Sequence, residues 1–163
     1  MLVKVSQSDF YSALQTVQRG TSSQSTLPIL TGIKIETGEN DTLNLQSTDL
    51  EISMKVSCKA SIEKKGTLVV TGKLLVDIFK FLPDGIVNLS LEKEGKQLCV
   101  GSDRSSFKIQ TMPVEDFPAF PEGTEDHQVE IGAQEFVEII KQTSKAISRD
   151  ETRPVLTGAL LKI

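Results

Sequence analysis

No tryptophan, one tyrosine, one histidine and two cysteines occur among the 163 residues, and each shortage closes a class of chemistry. His127 alone cannot supply an imidazole-built metal centre or acid–base pair, and it reads as a surface residue beside acids. Cys58 and Cys99 stand 41 positions apart with no C-x-x-C, which is neither a zinc spacing nor a disulfide framework. Both fall in alternating, strand-like stretches, so they are expected to be small reduced core residues of a cytosolic protein. No run approaches the roughly 18 apolar residues that span a bilayer, and Met1-Leu-Val-Lys-Val-Ser6 opens no signal-peptide core. G-x-S-x-G, the P-loop, H-E-x-x-H and the glycine-rich dinucleotide turn are all missing. Asp49 and Glu51 are expected on a solvated strand face. A soluble, cytoplasmic protein without catalytic residues, metal or cofactor is expected.

What is present suits a globular chain: 38% hydrophobic and 25% charged residues are enough to build a core. The balance of 18 Lys and Arg against 22 Asp and Glu, a net −4, excludes a uniformly basic nucleic-acid coat. The charge is uneven, however. Positions 113–130 hold six acids (Glu115, Asp116, Glu122, Glu125, Asp126 and Glu130) and no Lys or Arg, and the rest of the chain carries a net +2.

The chain repeats itself. At an offset of 126, without a gap, Val3 meets Val129, Phe10 meets Phe136, Ser22 meets Ser148 and Thr26 meets Thr152. Pro28, Leu30, Thr31 and Gly32 then meet Pro154, Leu156, Thr157 and Gly158. One unit of 126 residues is therefore expected, followed by the opening of a second that stops inside its second strand at 160–163 and belongs to a longer protein. A fainter echo at an offset of 65 relates Val5-Ser-Gln-Ser to Val70-Thr-Gly-Lys, each followed by an amphipathic stretch. The unit is expected to consist of two similar halves.

Periodicity predicts strands over 2–5, 29–36, 42–47, 51–57, 68–71, 87–92, 97–100 and 106–111. Helices are expected over 8–19, capped by Ser8, over 73–82, stopped by Pro83-Asp-Gly85, and over 134–147. Residues 21–25 read as loop. Positions 112–126, with Pro113, Pro118 and Pro121, read as an extended acidic linker.

Two helix faces carry bases. Lys141, Lys145 and Arg149 recur every four residues beside the apolar stripe Phe136, Ile140, Thr143 and Ile147. Lys73 and Lys80, with Asp77 between them, mark the polar strip of an otherwise apolar helix. Such rows can track phosphates without reading bases, or can be plain solvated faces. Gln15, Gln18 and Arg19 are expected on the exposed face of the first helix. In Asp103–Thr111, Phe107, Ile109 and Thr111 alternate with Ser106, Lys108 and Gln110. That segment is either an interior strand or an edge strand able to pair with another chain.

Together, T-L-P-I-L-T-G (26–32), S-T-D-L-E-I (47–52), F-K-F-L-P (79–83), R-S-S-F (104–107), D-F-P (116–118) and E-T-R-P-V-L-T-G (151–158) resemble the bacterial DNA sliding clamp family, the beta subunit of DNA polymerase III. The resemblance implies an α+β fold of repeated domains, each with two helices packed on antiparallel sheets. It places a first domain at 1–112, an acidic linker at 113–127 and the start of a second domain at 128–163. It also implies a homodimeric ring around double-stranded DNA, serving as a processivity factor with no membrane role. The DNA polymerase III alpha subunit and the clamp loader would be its partners, through a pocket mostly outside these residues. Carried over by position, Gln24, Lys73, Lys80, Lys141, Lys145, Arg149, Asp150, Arg153, Pro154 and Val155 would lie toward DNA. Gln24, Pro154 and Val155 depart from residues that some relatives place there. Lys96, Arg104, Phe107 and Ile109 would form the dimer edge. The alternative is a repeated β-rich scaffold that binds proteins through its sheet edges and has no nucleic-acid role.

Overall fold

The computed structural model describes residues 1–22, 26–92, 95–103, 105–121, 129–150 and 152–162, in two compact units, Met1–Pro121 and Glu122–Ile163. In the first, β1 (Leu2–Ser6) runs directly into α1 (Gln7–Val17) and a 3₁₀ turn at Gln18–Gly20. A second 3₁₀ turn (Pro28–Thr31) precedes β2 (Gly32–Thr37), β3 (Thr42–Thr48), β4 (Ser53–Lys59) and β5 (Ser61–Lys64). Then β6 (Thr67–Thr71) runs into α2 (Gly72–Phe81), followed by β7 (Ile86–Leu91), β8 (Gln97–Gly101) and β9 (Ser106–Met112). The strands form one antiparallel sheet in the order β4-β3-β2-β6-β9-β8-β7-β1-β5.

The echo at 65 is visible in the backbone: β1 and α1 begin at Leu2 and Gln7, β6 and α2 at Thr67 and Gly72. Each half folds three successive strands after its helix into a meander, and gives its first strand to the other half. Thus β6 pairs with β2 from Gly32↔Thr71 to Glu36↔Thr67, and β1 pairs with β7 from Leu2↔Ser90 to Ser6↔Ile86. The seam between the two leaves is short, joining β6 and β9 only at Val69↔Met112 and Val70↔Thr111.

Both helices lie on one face of this sheet because their apolar residues recur at helical spacing. Phe10, Leu14 and Val17 of α1 and Leu75 and Phe79 of α2 are fully buried against Ile33, Ile35, Leu43, Leu45, Leu89 and Leu98. The Phe10 and Phe79 rings meet at 4.8 Å between centroids, tilted by 52°. Beside them the buried Gln7 amide donates to the Phe79 carbonyl at 2.5 Å. The Ser47 hydroxyl, also buried, donates to the Val17 carbonyl and ties β3 to the end of α1.

Several elements differ from their sequence reading. Ser8 lies inside α1; Ser6 precedes the helix, and the two hydroxyls are 3.0 Å apart. Pro28–Thr31 forms a 3₁₀ turn, not the start of a strand: Pro28 fixes the first position and the Thr31 hydroxyl donates back to its carbonyl at 2.8 Å. β4 begins at Ser53, because Asp49 to Ile52 is a turn and not a strand face. β5, unrecognised in the sequence, pairs with β1 at the sheet edge. In α2, Leu74 and Phe81 remain 46% and 81% exposed, so this apolar helix is less covered than its composition suggests.

The cysteines also separate. Cys58 is half-buried and packs against the core, and burial, followed by the nearby Asp9 charge, pushes its thiol up to about 11. Cys99 lies on the opposite face of its strand, where its thiol donates to Glu92 at 3.3 Å; it is not a core residue. Desolvation first, then the Glu92 hydrogen bond and charge, raises its pKa. Since the thiolate is the nucleophile, both should react with iodoacetamide at pH 7.5 far more slowly than in urea. Thiol counting by mass spectrometry checks this; fast labelling of Cys58 in the native chain would contradict the packing.

In the second unit, α3 (Ala133–Thr143), a 3₁₀ turn at Ser144–Ala146 and another at Pro154–Leu156 are the regular elements among the described residues. Leu160, Leu161 and Lys162 form no strand, contrary to the sequence reading. A β-strand needs a neighbour to bond to, and no described residue offers one there.

Candidate nucleic-acid interface

The offset of 126 is reproduced in three dimensions. α1 and its 3₁₀ turn span Gln7–Val17 and Gln18–Gly20; α3 and its turn span Ala133–Thr143 and Ser144–Ala146. Beyond them the chain closes on itself in the same way twice: the Ser22 amide donates to Leu30 at 2.9 Å, and the Ser148 amide to Leu156 at 2.9 Å. The Thr31 hydroxyl donates to Pro28 and the Thr157 hydroxyl to Pro154, both at 2.8 Å. The repeat is therefore a repeat of hydrogen bonds as well as of letters.

On α2, Lys73 and Lys80 are exposed. Seven positions on a helix bring side chains back to nearly the same face, roughly 10 Å apart along the axis. Among the described residues, the ion pairs join Lys4 to Glu63, Lys34 to Glu36 and Lys108 to Glu92; none engages Lys73 or Lys80. The Lys80 ammonium lies 5.6 Å from the Phe81 ring centroid. On α1, Gln15 is exposed, and in the 3₁₀ turn that follows Arg19 is exposed and Gln18 half-buried. Gln24 lies outside the described residues.

In the second unit, Lys141, Lys145 and Arg149 are all exposed, but they do not form one straight helical row. The α-helix ends at Thr143, whose hydroxyl donates back to Ile139 at 2.7 Å, and Lys145 falls in the 3₁₀ turn. Arg149 lies in the loop that follows. Asp150 shapes that loop: its Oδ1 accepts from the Thr152 hydroxyl at 2.7 Å and the Thr152 amide at 3.0 Å. Those two bonds, the hydroxyl first, lower its pKa. Asp150 therefore anchors Thr152, just before Arg153. Arg153 and Pro154 are exposed, and Val155 is 87% exposed.

β9 answers the choice between interior and edge with some of each. It pairs with β8 from Gln97↔Gln110 to Gly101↔Ser106, whereas β6 reaches only Thr111 and Met112. Along Ser106–Gln110, alternate backbone groups on the side away from β8 have no strand beside them among the described residues. Phe107 is 39% exposed on this segment, while Ile109 is 3% exposed and belongs to the core. Lys96 is exposed, its carbonyl accepting from the Thr111 amide at 3.0 Å. Lys108 is held by Glu92 at 2.6 Å, the bond that chiefly lowers the Glu92 pKa. Arg104 lies outside the described residues.

A two-helix layer on interlocked antiparallel meanders, with bases on exposed helix faces and a partly open edge strand, is the architecture of sliding-clamp domains. The chain superposes with a TM-score of 0.91 and 28% identity on the DNA polymerase sliding clamp of Bacillus subtilis, over 97% of this chain and 43% of that one. The beta subunit from the DNA polymerase of Streptococcus pyogenes gives 0.90 at 26% identity over 97% of this chain and 43% of that one. In sequence, it is 34% identical to the beta sliding clamp of Streptomyces coelicolor over 163 residues, all of this chain and 42% of the relative. The Staphylococcus epidermidis clamp matches at 34% over 91% of this chain and 41% of its own length. Residues 1–121 match the N-terminal domain family of the DNA polymerase III beta subunit, and the chain belongs to that family. It spans about two-fifths of the length of these curated relatives.

Proposed function

We propose that this chain carries the first domain and the start of the second domain of a DNA sliding clamp, a processivity factor of DNA replication. In this reading two copies of the whole protein close into a ring around duplex DNA. The ring holds DNA by enclosure and tethers the replicative polymerase, raising its effective concentration at the primer end. The observation that supports it most is the repeat: α1 and α3 recur at an offset of 126 and are followed by the same hydrogen bonds, while exposed bases stand on α2 and on and after α3. Lys73, Lys80, Lys141, Lys145, Arg149 and Arg153 would meet phosphates, which carry charge but no sequence information. Asp150, Pro154 and Val155 would set the course of the second-domain loop beside the duplex, and Gln24 the corresponding loop of the first.

The dimer contact would add a partner strand to the open edge of β9, with Lys96, Arg104 and Phe107 on the contact face. Ile109, being buried, would contribute through its backbone. The polymerase alpha subunit and the clamp loader would bind a pocket mostly outside residues 1–163. The protein would act in the cytoplasm, without cofactor and without catalysing a reaction of its own.

The test is topological. Loaded by its loader onto nicked circular duplex, the full-length protein should co-elute with the circle in gel filtration and be lost once the circle is cut. Equal retention on circular and linear DNA would mean ordinary charge-based binding and would overturn the ring.

A further inference from the structure

Away from the helix lysines, Leu27, Pro28, Ile29, Leu30, Leu50 and Met112 line a cleft of about 430 Å³, closed by Pro113, Asp116 and Pro118. One of its walls is built at a cost. Leu50 has φ +79°, a left-handed conformation that non-glycine residues with a branched apolar side chain avoid. Its neighbours hold it there. The Thr48 hydroxyl accepts the Leu50 amide at 3.0 Å, and Asp49 Oδ1 accepts the amides of Ile52 at 2.7 Å and Glu51 at 3.0 Å. These bonds, that from Ile52 first, keep the Asp49 carboxyl below the ordinary aspartate range.

A turn so braced presents Leu50 63% exposed, with Leu27 at 51% in the same cleft. Burial cannot be the reason for this leucine, because most of its surface faces solvent. Strain held by surrounding bonds points to function. The cleft admits a few side chains and not a folded surface, and its lining is apolar apart from Asp116. Of the three chain segments that build it, 27–30 is uncharged, and 47–52 and 112–118 contain Asp49, Glu51, Glu115 and Asp116 and no Lys or Arg. The nearby Lys55 of β4 is turned over the Phe120 ring, 5.8 Å from its centroid.

We propose that this cleft is a docking site for a linear segment of a partner protein that inserts two or three adjacent apolar side chains beside a Lys or Arg. The apolar anchors fill the space between Leu27, Leu30, Leu50 and Met112, and the base meets the acidic rim. The site lies wholly within Met1–Pro121, needs no DNA and does not depend on ring formation.

A fluorescein-labelled octapeptide, Lys-Ser-Leu-Leu-Phe-Gly-Lys-Lys, tests it by fluorescence anisotropy with the chain. Saturable binding below about 1 mM is expected. Leu50→Gly should weaken it about tenfold or more, through loss of one apolar wall. The same substitution relieves the positive φ, so the thermal midpoint should hold or rise; loss of binding with preserved stability separates docking from folding. Leu27→Ser should weaken binding similarly, and replacing the three lysines by glutamate should weaken it several-fold. Absence of saturation, or equal binding by the Leu50→Gly chain, would overturn the proposal. So would sedimentation showing that the wild-type chain self-associates through this face and that Leu50→Gly abolishes that association.

Discussion

Replacing Phe79 by alanine is expected to lower the stability of residues 1–121 by about 3–5 kcal/mol. Phe79 is fully buried, its ring lies 4.8 Å from that of Phe10, and its carbonyl accepts the buried Gln7 amide. Truncation would remove the apolar surface of one helix where it meets the other, leaving a cavity between fixed elements. The sheet beneath cannot collapse into it without breaking ladders on both sides. Against a total of roughly 5–15 kcal/mol for a domain, such a loss brings the protein close to unfolding. Phe79→Leu should cost less, about 1.5 kcal/mol or under if the site repacks. A double-mutant cycle with Phe10→Ala should show a coupling of roughly 0.5–1.5 kcal/mol from the ring pair. Urea midpoints for the wild type and the four variants measure all of this. A loss below about 1 kcal/mol for Phe79→Ala would mean that the two helices do not share one core.

Reversing the four helix bases, Lys73, Lys80, Lys141 and Lys145 to glutamate, should weaken association with a short linear duplex at least about tenfold. It should also flatten the slope of log affinity against log salt by about 3 to 4 if all four neutralise phosphates. Residence on nicked circles should shorten in parallel. The side chains are exposed and, among the described residues, none has an ion-pair partner, so the thermal midpoint should not move. Reversal of Lys59, Lys64, Lys65 and Lys162, four exposed bases outside the helices, is the control for net charge. Unchanged residence and slope in the fourfold variant would remove these lysines from the DNA path.

How far these features could be read in the letters depended on what enforced them. α1 and α2 were legible because Phe10, Leu14 and Val17, and likewise Leu75 and Phe79, obey a helical period that burial enforces. The 126-residue repeat was legible because identical residues make identical bonds, as at Thr31 and Thr157. The turn at Pro28–Thr31 was misread because Ile29-Leu30-Thr31 is strand-like in composition, while proline and a threonine hydroxyl decide the backbone. β5 escaped notice because Ser61–Lys64 offers Ile62 as its one apolar residue, and its pairing is decided by distant β1.

The candidate site was legible as a set of charged letters, less so as geometry. The spacing of Lys141, Lys145 and Arg149 suggested a straight row, but hydroxyls at Thr143 and Ser144 bond back and end the α-helix before Lys145. Phe107 and Ile109 share a side by alternation, yet the core takes Ile109 and leaves Phe107 partly in solvent. Leu50 gave a sign only through Asp49, whose carboxylate bonds the two amides that follow Leu50.

The exchange of first strands between the halves of residues 1–121 bears on how such a chain holds together at high dilution. A polypeptide with the parts of one half alone would carry a three-strand meander, a helix and a first strand stripped of its longest pairing, left with only β5 beside β1 or the short contact of β9 beside β6. It could complete its sheets only by finding a second copy, and its folded fraction would rise and fall with concentration. Joined through the short link between β5 and β6, the two halves meet at a local concentration set by the tether and not by the solution. The fold is thus a dimer's worth of interlocking made unimolecular, and its stability should not change as the protein is diluted.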